Sequence, residues 1–513
     1  MRIMLVNSPW ICDDRRTSVK AGARWPHIRD RKKTLPYYPY PFAMAYAASV
    51  LKRAGHTVRM LDGVALELTG PAALKETIDW NPEMVILETS TPSIEVDLAF
   101  AREVAAGTGA MIVYSGPHAT VLFADVLEHA PGTAVLRGEY DDTVVHLAGV
   151  IAGGGDLAEV TGIAWRDGDM IRVNSHRALI TDLDSLPYPE RDSLPMERYT
   201  DPACKKFPNV SMVTSRGCPH QCVFCLESTV FYHSPSFRPR NPERVVDEME
   251  FVVDRFGARE VYFDDASFTA SLPHARAVAE AMIRRGFRVP WSAMADARVD
   301  DDTLRLLKAS GCIGLKFGVE TADPERMAMI NKHLDLDHVR RFVSTCHRLG
   351  IATHGTFMFG LPGETRASLH RTLEYARRLR CTTSQFSVAT PFPGTPFYEE
   401  AVRKGWLITS DWSRWDGAGS PVLAYPDCTP DDILHALECA RKMKIRILLT
   451  RPAVAIQYGV KLYRIKGWRG LFRELVAKTG YLLSRTRRSR DRFTDRCSEH
   501  STDRSRERSS NGV

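Results

Sequence analysis

A chain of 513 residues is too long for one hydrophobic core, so two or three domains are expected. The net charge of +7 is modest, and 44% hydrophobic residues suit a globular enzyme. Eleven cysteines in so long a chain, three clustered and eight scattered, argue against a disulfide framework and suit a reducing, cytoplasmic setting.

The first seven residues, Met-Arg-Ile-Met-Leu-Val-Asn, read as a buried strand rather than a signal peptide. Further strands are expected at 57–62, 84–88, 111–115 and 134–137. Helical patterns are expected at 42–54, 72–79, 94–106, 124–129 and 141–151. This alternation predicts an α/β fold opening with a doubly wound parallel sheet, which binds ligands at the carboxyl ends of its strands. Gly153-Gly154-Gly155 then breaks the chain. A hairpin is expected at about 162–174, followed by the proline-rich stretch 184–190.

From 208 to 390 a second alternation appears. Its strands are expected at 210–214, 260–264, 289–293, 313–319, 353–359 and 384–389. Helices are expected at 242–256, 273–285, 302–310, 336–349 and 366–379. Six β/α units are too few to close an eight-stranded barrel, so an open, partial barrel is predicted. Residues 431–447 and 455–483 read as helical and basic. A cap with a solvated face is the expectation there, with a surface facing an acidic or lipid substrate as the alternative. The most apolar C-terminal stretch, 445–460, is interrupted by Arg451 and Pro452, so no transmembrane segment is expected. The Arg-, Ser- and Asp-rich tail is expected to be disordered and to bind no nucleic acid.

The densest chemical signal is Cys218-Pro-His-Gln-Cys222-Val-Phe-Cys225, directly after the first barrel strand. Three thiolates can hold three irons of a 4Fe–4S cluster and leave the fourth open to a ligand. A zinc site would want a fourth N or S ligand, for which only His220 offers itself nearby, and no second Cys pair is present. The C-x3-C-x2-C loop resembles that of radical SAM enzymes, and Phe224 before the last cysteine also fits. The resemblance implies that Cys218, Cys222 and Cys225 bind the cluster and that the open iron chelates S-adenosylmethionine (SAM). One electron would then split SAM into methionine and a 5′-deoxyadenosyl radical. Asp264 and Asp265, ending the second strand, stand where the family binds the SAM amino group; the sequence lacks the usual Gly-Gly-Glu there, and either Asp could act. Gly318-Val-Glu320-Thr321 resembles the ribose motif, through Glu320 or Thr321. Phe357 or Phe359 on the fifth strand would meet adenine, with Phe357 the first choice.

A second resemblance covers the first domain. Asn7-Ser-Pro-Trp10, Tyr46 to Gly55, and Ser115-Gly-Pro-His-Ala-Thr120 through Arg137-Gly-Glu139 are similar to the cobalamin-binding domain of cobalamin-dependent radical SAM enzymes. That class includes methyltransferases, the anaerobic magnesium-protoporphyrin ester cyclase and hopanoid-modifying enzymes. The implied organisation is a Rossmann-like cobalamin-binding domain at 1–150 and a connector at 151–205. A radical SAM core follows at 206–420, then a helical cap at 421–483 and a disordered tail at 484–513. Ser8, Thr89, Ser90, Gly116, His118, Gly138 and Glu139 would line the corrin site. No histidine follows Asp62, where many cobalamin proteins place a cobalt ligand, so no histidine of that loop is expected on cobalt.

The resemblance implies a methyltransferase that moves a methyl group from SAM, through methylcobalamin, to an unactivated carbon of a small-molecule biosynthetic intermediate. A reducing partner such as flavodoxin or ferredoxin would supply electrons. The alternatives are an oxidative cyclase or carbon–carbon bond-forming enzyme of the tetrapyrrole or hopanoid type, and a non-enzymatic cobalamin or iron–sulfur sensor.

Overall fold

The structure is a computed structural model. It describes residues 1–10, 16–19, 27–30, 38–201, 204–417 and 419–450, with short helical pieces at 455–456, 459–460, 462–463, 468 and 472.

The strands of the first region are β1 (Arg2–Asn7), β2 (Arg16–Val19), β3 (His27–Asp30), β4 (Thr57–Asp62), β5 (Met84–Glu88), β6 (Met111–Ser115), β7 (Ala134–Leu136), β8 (Ile163–Asp167) and β9 (Met170–Val173). β1 and β5 are apolar and buried on both faces, as the interior strands of a helix-covered parallel sheet must be. The sheet order is β4-β1-β5-β6-β7-β8-β9, parallel from β4 through β7. The chain turns from one side of β1 to the other between β4 and β5. The crevice beyond the carboxyl ends of β1 and β5 is therefore the topological switch point, where such sheets bind ligands.

The hairpin expected in the connector is β8–β9. It is not a free link, because β8 pairs antiparallel with β7 (Val135 opposite Ala164) and extends the first sheet past the boundary expected at 150. The short β7 would otherwise leave a row of unpaired backbone groups at an edge. The antiparallel pair β2–β3 was not anticipated.

The second region contributes β10 (Asn209–Met212), β11 (Ser215–Arg216), β12 (Arg238–Pro239), β13 (Glu260–Phe263), β14 (Trp291–Ala295), β15 (Cys312–Glu320), β16 (Ala352–Phe359) and β17 (Thr383–Val388). Six of these form one parallel sheet in the order β10-β13-β14-β15-β16-β17, the open partial barrel expected. Its helices start at side-chain caps: Asn241, Ser271, Asp300, Asp335 and Thr365 each accept a bond from an orphan N–H of the first turn.

The chain divides into two compact units, 1–439 and 440–513, and both sheets lie in the first. The helix expected at 431–447 is Pro430–Thr450. Most of the helix expected at 455–483, and all of the tail at 484–513, lie outside the described residues.

Candidate active site

The cysteine loop leaves the end of β10 through a neck. β11 pairs antiparallel with β12, setting Arg216 opposite Arg238 and closing residues 217–237 into one loop. Gly217 makes the turn at φ +81°, where a Cβ would strike the Ser236 carbonyl. The loop is then tied down from outside: Val223 N donates to Ile330 O at 3.3 Å, Phe397 N to Val223 O at 3.1 Å, and Asn331 Nδ2 to Gln221 O at 3.1 Å. Phe224 is buried, and the three cysteines are partly buried free thiols. Burial pushes the Cys218 thiol up to about 12 and Cys222 to about 11, so without a bound partner both are neutral thiols at pH 7.

Among the described residues, no three His, Cys, Asp or Glu side chains converge as the ligands of a single metal ion would. His220 is engaged elsewhere, with Nε2 2.8 Å from Arg298 Nη2 and 3.4 Å from Asp296 Oδ2. A cuboidal cluster, by contrast, needs its three thiolates spread over three irons.

Strand alternation sorts the carboxylates. Trp291 bonds the Ser310 carbonyl at the end of an outer helix, and Val261 pairs with Trp291. Val261 and Phe263 thus share the helix-facing side, and Asp264 comes next on the inward side. Asp265 is tied to the end of the neighbouring strand. Its Oδ1 accepts from Thr214 N at 3.0 Å, Thr214 Oγ1 at 3.0 Å and Ser215 Oγ at 2.6 Å. Thr214 also meets His274 of the following helix at 3.1 Å. Burial raises Asp265 to about 6 despite these bonds. Asp264 and Asp265 both line a cavity with Tyr46, Tyr140, Arg216 and Glu227.

Glu320 and Thr321 part company in the same way. Glu320 sits at φ +65°, a left-handed conformation costly for a non-glycine residue and typical of functional sites. β15 bulges against β16 there, between Gly318 and Glu320. The Glu320 carboxylate folds back over Gly318, where a Cβ would collide with it and with Lys332 Nζ, and it accepts from Lys332 at 3.0 Å. Thr321 is committed to structure: its Oγ1 lies 3.2 Å from Thr372 Oγ1 and accepts from Asp323 N at 3.1 Å.

The two phenylalanines expected at adenine share one side of β16. Phe317 packs on Phe342 of an outer helix, with ring centroids 5.1 Å apart, and pairs in register with Gly355. Phe357, two residues on, therefore lies on the helix-facing side, fully buried and stacked on Phe386 at 5.1 Å. Phe359 shares that face and also stacks on Phe386. Met358 takes the inward side. A strand's period of two makes a one-residue error in such a reading a reversal of face.

Two further groups had no motif to announce them. Lys332, in the loop after β15, and Arg298, in the loop after β14, both lower the Cys222 thiol electrostatically against its burial. Asp296 is held well below the usual carboxylate range: burial opposes this, but the Arg298 and His220 hydrogen bonds outweigh it. Only the position of Asp296-Ala-Arg298 at a barrel strand's carboxyl end could have flagged them.

In the first domain, the Ser8 hydroxyl donates to buried Asp97, Ser93 Oγ donates to the same carboxylate at 2.7 Å, and Ser90 Oγ lies 2.7 Å from Ser93 Oγ. Thr89 Oγ1 donates to Ser115 O at 2.8 Å. These hydroxyls brace the switch point. Asp62 accepts from Asn7 Nδ2 at 2.9 Å and Tyr199 OH at 2.8 Å, so its loop is sealed by the connector. Gly116 and Gly138 do allow close approach, but of protein. A Cβ on Gly116 would strike the Thr89 carbonyl, and one on Gly138 would lie 2.8 Å from Phe231 O. His118 is buried, with Nδ1 3.2 Å from Thr91 Oγ1 and its ring edge-on to Trp412. Desolvation lowers it to about 4, so it is neutral at pH 7.

Glu139 does not face an open crevice. It accepts from Arg216 Nη1 at 2.7 Å, from Arg238 Nη1 at 2.8 Å and from Ile180 N at 3.0 Å. Asp141 adds bonds to Arg216 at 2.7 and 3.1 Å. Arg216 and Arg238 also lie over the Tyr46 and Tyr232 rings, at 4.6 and 4.8 Å. This buried cluster joins the loop after β7 directly to the neck of the cysteine loop.

Fold and site together define the class: an α/β enzyme in which a ligand-binding parallel sheet is locked against a partial barrel carrying a three-cysteine loop. The Radical SAM superfamily model matches residues 212–376, and the B12 binding domain model matches residues 28–148. An uncharacterized methyltransferase of Pyrococcus horikoshii is 30% identical over 421 residues, covering 81% of this chain and 89% of that one. The anaerobic magnesium-protoporphyrin IX monomethyl ester cyclase of Cereibacter sphaeroides is 28% identical, over 77% of this chain and 65% of its own length. The fold is that of the radical SAM methyltransferase TsrM from Kitasatospora setae, solved with cobalamin and a [4Fe–4S] cluster (TM-score 0.65, 19% identity, 79% of this chain and 78% of that one). The chain belongs to the B12-binding radical SAM enzymes, in the family of the cobalamin-dependent methyltransferases. Its cofactors are a 4Fe–4S cluster, SAM and cobalamin.

The residues present fit these groups. The three-thiol donor set suits the cluster. His118 Nε2, and the Thr390 hydroxyl after β17, are buried with no hydrogen-bond partner among the described residues. Each is a polar atom that a bound cofactor or substrate can satisfy.

Proposed function

We propose that this protein transfers a methyl group from SAM, by way of cobalamin, to an unactivated carbon of a small biosynthetic intermediate. The observation that carries this is the buried Glu139–Arg216–Asp141 cluster, which holds the loop after β7 and the neck of the cysteine loop in one frame. A substrate must meet two cofactors in turn for such a transfer, and a fixed distance between their sites lowers the entropic cost of doing so.

When bound, the cluster supplies an electron for SAM cleavage and the cobalamin carries the methyl group. Cys218, Cys222 and Cys225 hold the cluster, with Phe224 packed beside them. Asp264 accepts from the SAM amino group, while Asp265 positions the strand end through Thr214 and Ser215. Glu320, fixed by Lys332, accepts from the ribose hydroxyls, and Thr321 braces it from the helix side. Met358 replaces Phe357 as the inward apolar surface for adenine. Thr89, Ser90 and His118 shape the corrin crevice, which Ser8 braces through Asp97. Gly138 and Glu139 set the domain alignment that the crevice depends on, and Gly116 lets its loop close on Thr89 at the crevice. A flavodoxin- or ferredoxin-like reductant and a cytoplasmic setting belong to the same reading, supported by the free cysteines. No described helix is long and apolar enough to cross a membrane.

The test is to incubate anaerobically reconstituted protein with a reductant, trideuteromethyl-SAM and a fractionated metabolite extract. A product carrying the labelled methyl group, formed together with 5′-deoxyadenosine, is expected. Deoxyadenosine with an unlabelled, ring-closed product would replace methyl transfer by the cyclase chemistry of the second relative. Absence of deoxyadenosine would leave a binding protein.

A further inference from the structure

The end of β7 carries a group of basic side chains that methyl transfer does not use. Arg137 follows β7 directly, at the carboxyl edge of the first sheet, where sheets of this kind bind ligands. Its Nη2 lies 3.0 Å from His176 Nε2, in the stretch after β9, and its Nη1 donates to Asn174 O at 3.3 Å. The His176 ring packs in turn on that of His233, in the cysteine loop, with centroids 4.3 Å apart. His233 stands at φ +51°, a left-handed conformation that few non-glycine residues adopt, and it lies against Gly138. Three segments distant in sequence thus deliver one guanidinium and two imidazoles to one place.

What this group lacks is an anion. Among the described residues no carboxylate acts on Arg137, His176 or His233. Burial disfavours the charge on all three, and repulsion from the neighbouring cations adds to it at the histidines, taking His233 to about 4. Arg137 Nε is buried without a hydrogen-bond partner. A guanidinium has no acceptor, so His176 Nε2 accepts from Arg137 and the imidazole keeps its N–H on Nδ1. Arg216 and Arg238, buried nearby, each have Glu139 as a counter-charge. A purely structural clamp accounts for the bond to Asn174. It accounts neither for a buried Nε left unbonded nor for basic groups gathered without a carboxylate.

We propose that Arg137, His176 and His233 form a phosphate-binding site at the carboxyl edge of the first sheet, taking the phosphate of the cobalamin nucleotide or a phosphate carried by the substrate. Donors drawn from three segments suit the oxygens of a tetrahedral oxyanion better than the single plane of a carboxylate. Because His233 lies in the cysteine loop, a phosphate held here ties one end of its ligand to both regions. The site goes beyond methyl transfer and does not rest on it.

The test is calorimetric titration of the full-length, cluster-reconstituted protein with orthophosphate, alone and after loading with cobalamin or with cobinamide, which lacks the nucleotide and its phosphate. Orthophosphate is expected to bind the protein alone, and Arg137→Gln to weaken that binding about tenfold or more. His233→Asn, which keeps a residue tolerant of the left-handed backbone, is expected to weaken it as well. Unchanged circular dichroism and cluster absorbance in both variants separate loss of the site from loss of fold. Orthophosphate binding blocked by cobalamin but not by cobinamide assigns the site to the nucleotide phosphate. Binding that persists with cobalamin in place assigns it to a phosphate of the substrate. No orthophosphate binding, or binding that both variants leave unchanged, overturns the proposal. The readout involves no turnover, so it stands or falls separately from methyl transfer.

Discussion

Arg216 is the residue whose removal the structure judges most severely. Its guanidinium lies 2.7 Å from both Glu139 and Asp141, and all three side chains are at most 9% exposed. Burial alone would disfavour its charge, but Asp141 and Glu139 outweigh that and raise its pKa well above normal. In Arg216→Met, Glu139 keeps Arg238 and the Ile180 N–H, whereas Asp141 loses both of its side-chain hydrogen bonds. A buried carboxylate stripped of its partner costs about 3–5 kcal/mol. Against a typical total of about 5–15 kcal/mol, that is a large loss. The assay is urea denaturation of the reconstituted protein, read at the midpoint of its first transition because so large a chain need not unfold in two states. Arg216→Met/Asp141→Asn removes the stranded charge and should recover much of the loss, giving a coupling of about 2 kcal/mol or more in the double-mutant cycle. Since Arg216 stands two residues before Cys218, the single variant should also form more deoxyadenosine per methyl transferred. A single variant within 1 kcal/mol of wild type, or additive variants, would refute the reasoning that this cluster aligns the two regions.

Cys222→Ala should lose iron, sulfide and cluster absorbance and form no deoxyadenosine from SAM; continued SAM cleavage would sink the cluster assignment. Gly318→Ala should drive a Cβ into the Glu320 carboxylate and Lys332 Nζ. It should weaken SAM binding about tenfold or more in equilibrium dialysis, and Glu320→Gln should do the same with the fold intact. For His118 the folded pKa of about 4 lies below the unfolded 6.5, so its neutral form contributes stability that is complete above pH 6.5 and lost as pH falls toward 4. The thermal midpoint of His118→Asn should therefore fall less than that of wild type over this interval; parallel curves would contradict the buried, neutral assignment.

The elements were largely legible because both alternations are strongly patterned. β1, β4, β5 and β6 lie where the apolar runs predict them, and the helices Pro242–Phe256 and Arg366–Leu379 begin and end as expected. The side of a strand on which a residue lies was less legible. Phe357 read as an inward apolar residue, and only the register of Phe317 against Gly355 shows that it faces the helices and Met358 does not. Gly116 and Gly138 read as openings for a cofactor, yet each admits a neighbouring protein carbonyl.

By itself, the sequence determined the chemistry available: three thiols at a spacing no ordinary loop requires, two acidic strand ends, and two α/β alternations whose periodicity is local and so survives without coordinates. The tertiary structure alone decided which groups act on one another. Lys332 meets Glu320 across a strand bulge, Asp265 accepts from Thr214, and Glu139 closes on Arg216 across 77 residues of chain. Such pairings depend on register, bulges and domain docking. Those are set by the summed packing of distant segments, and no short window of sequence contains them.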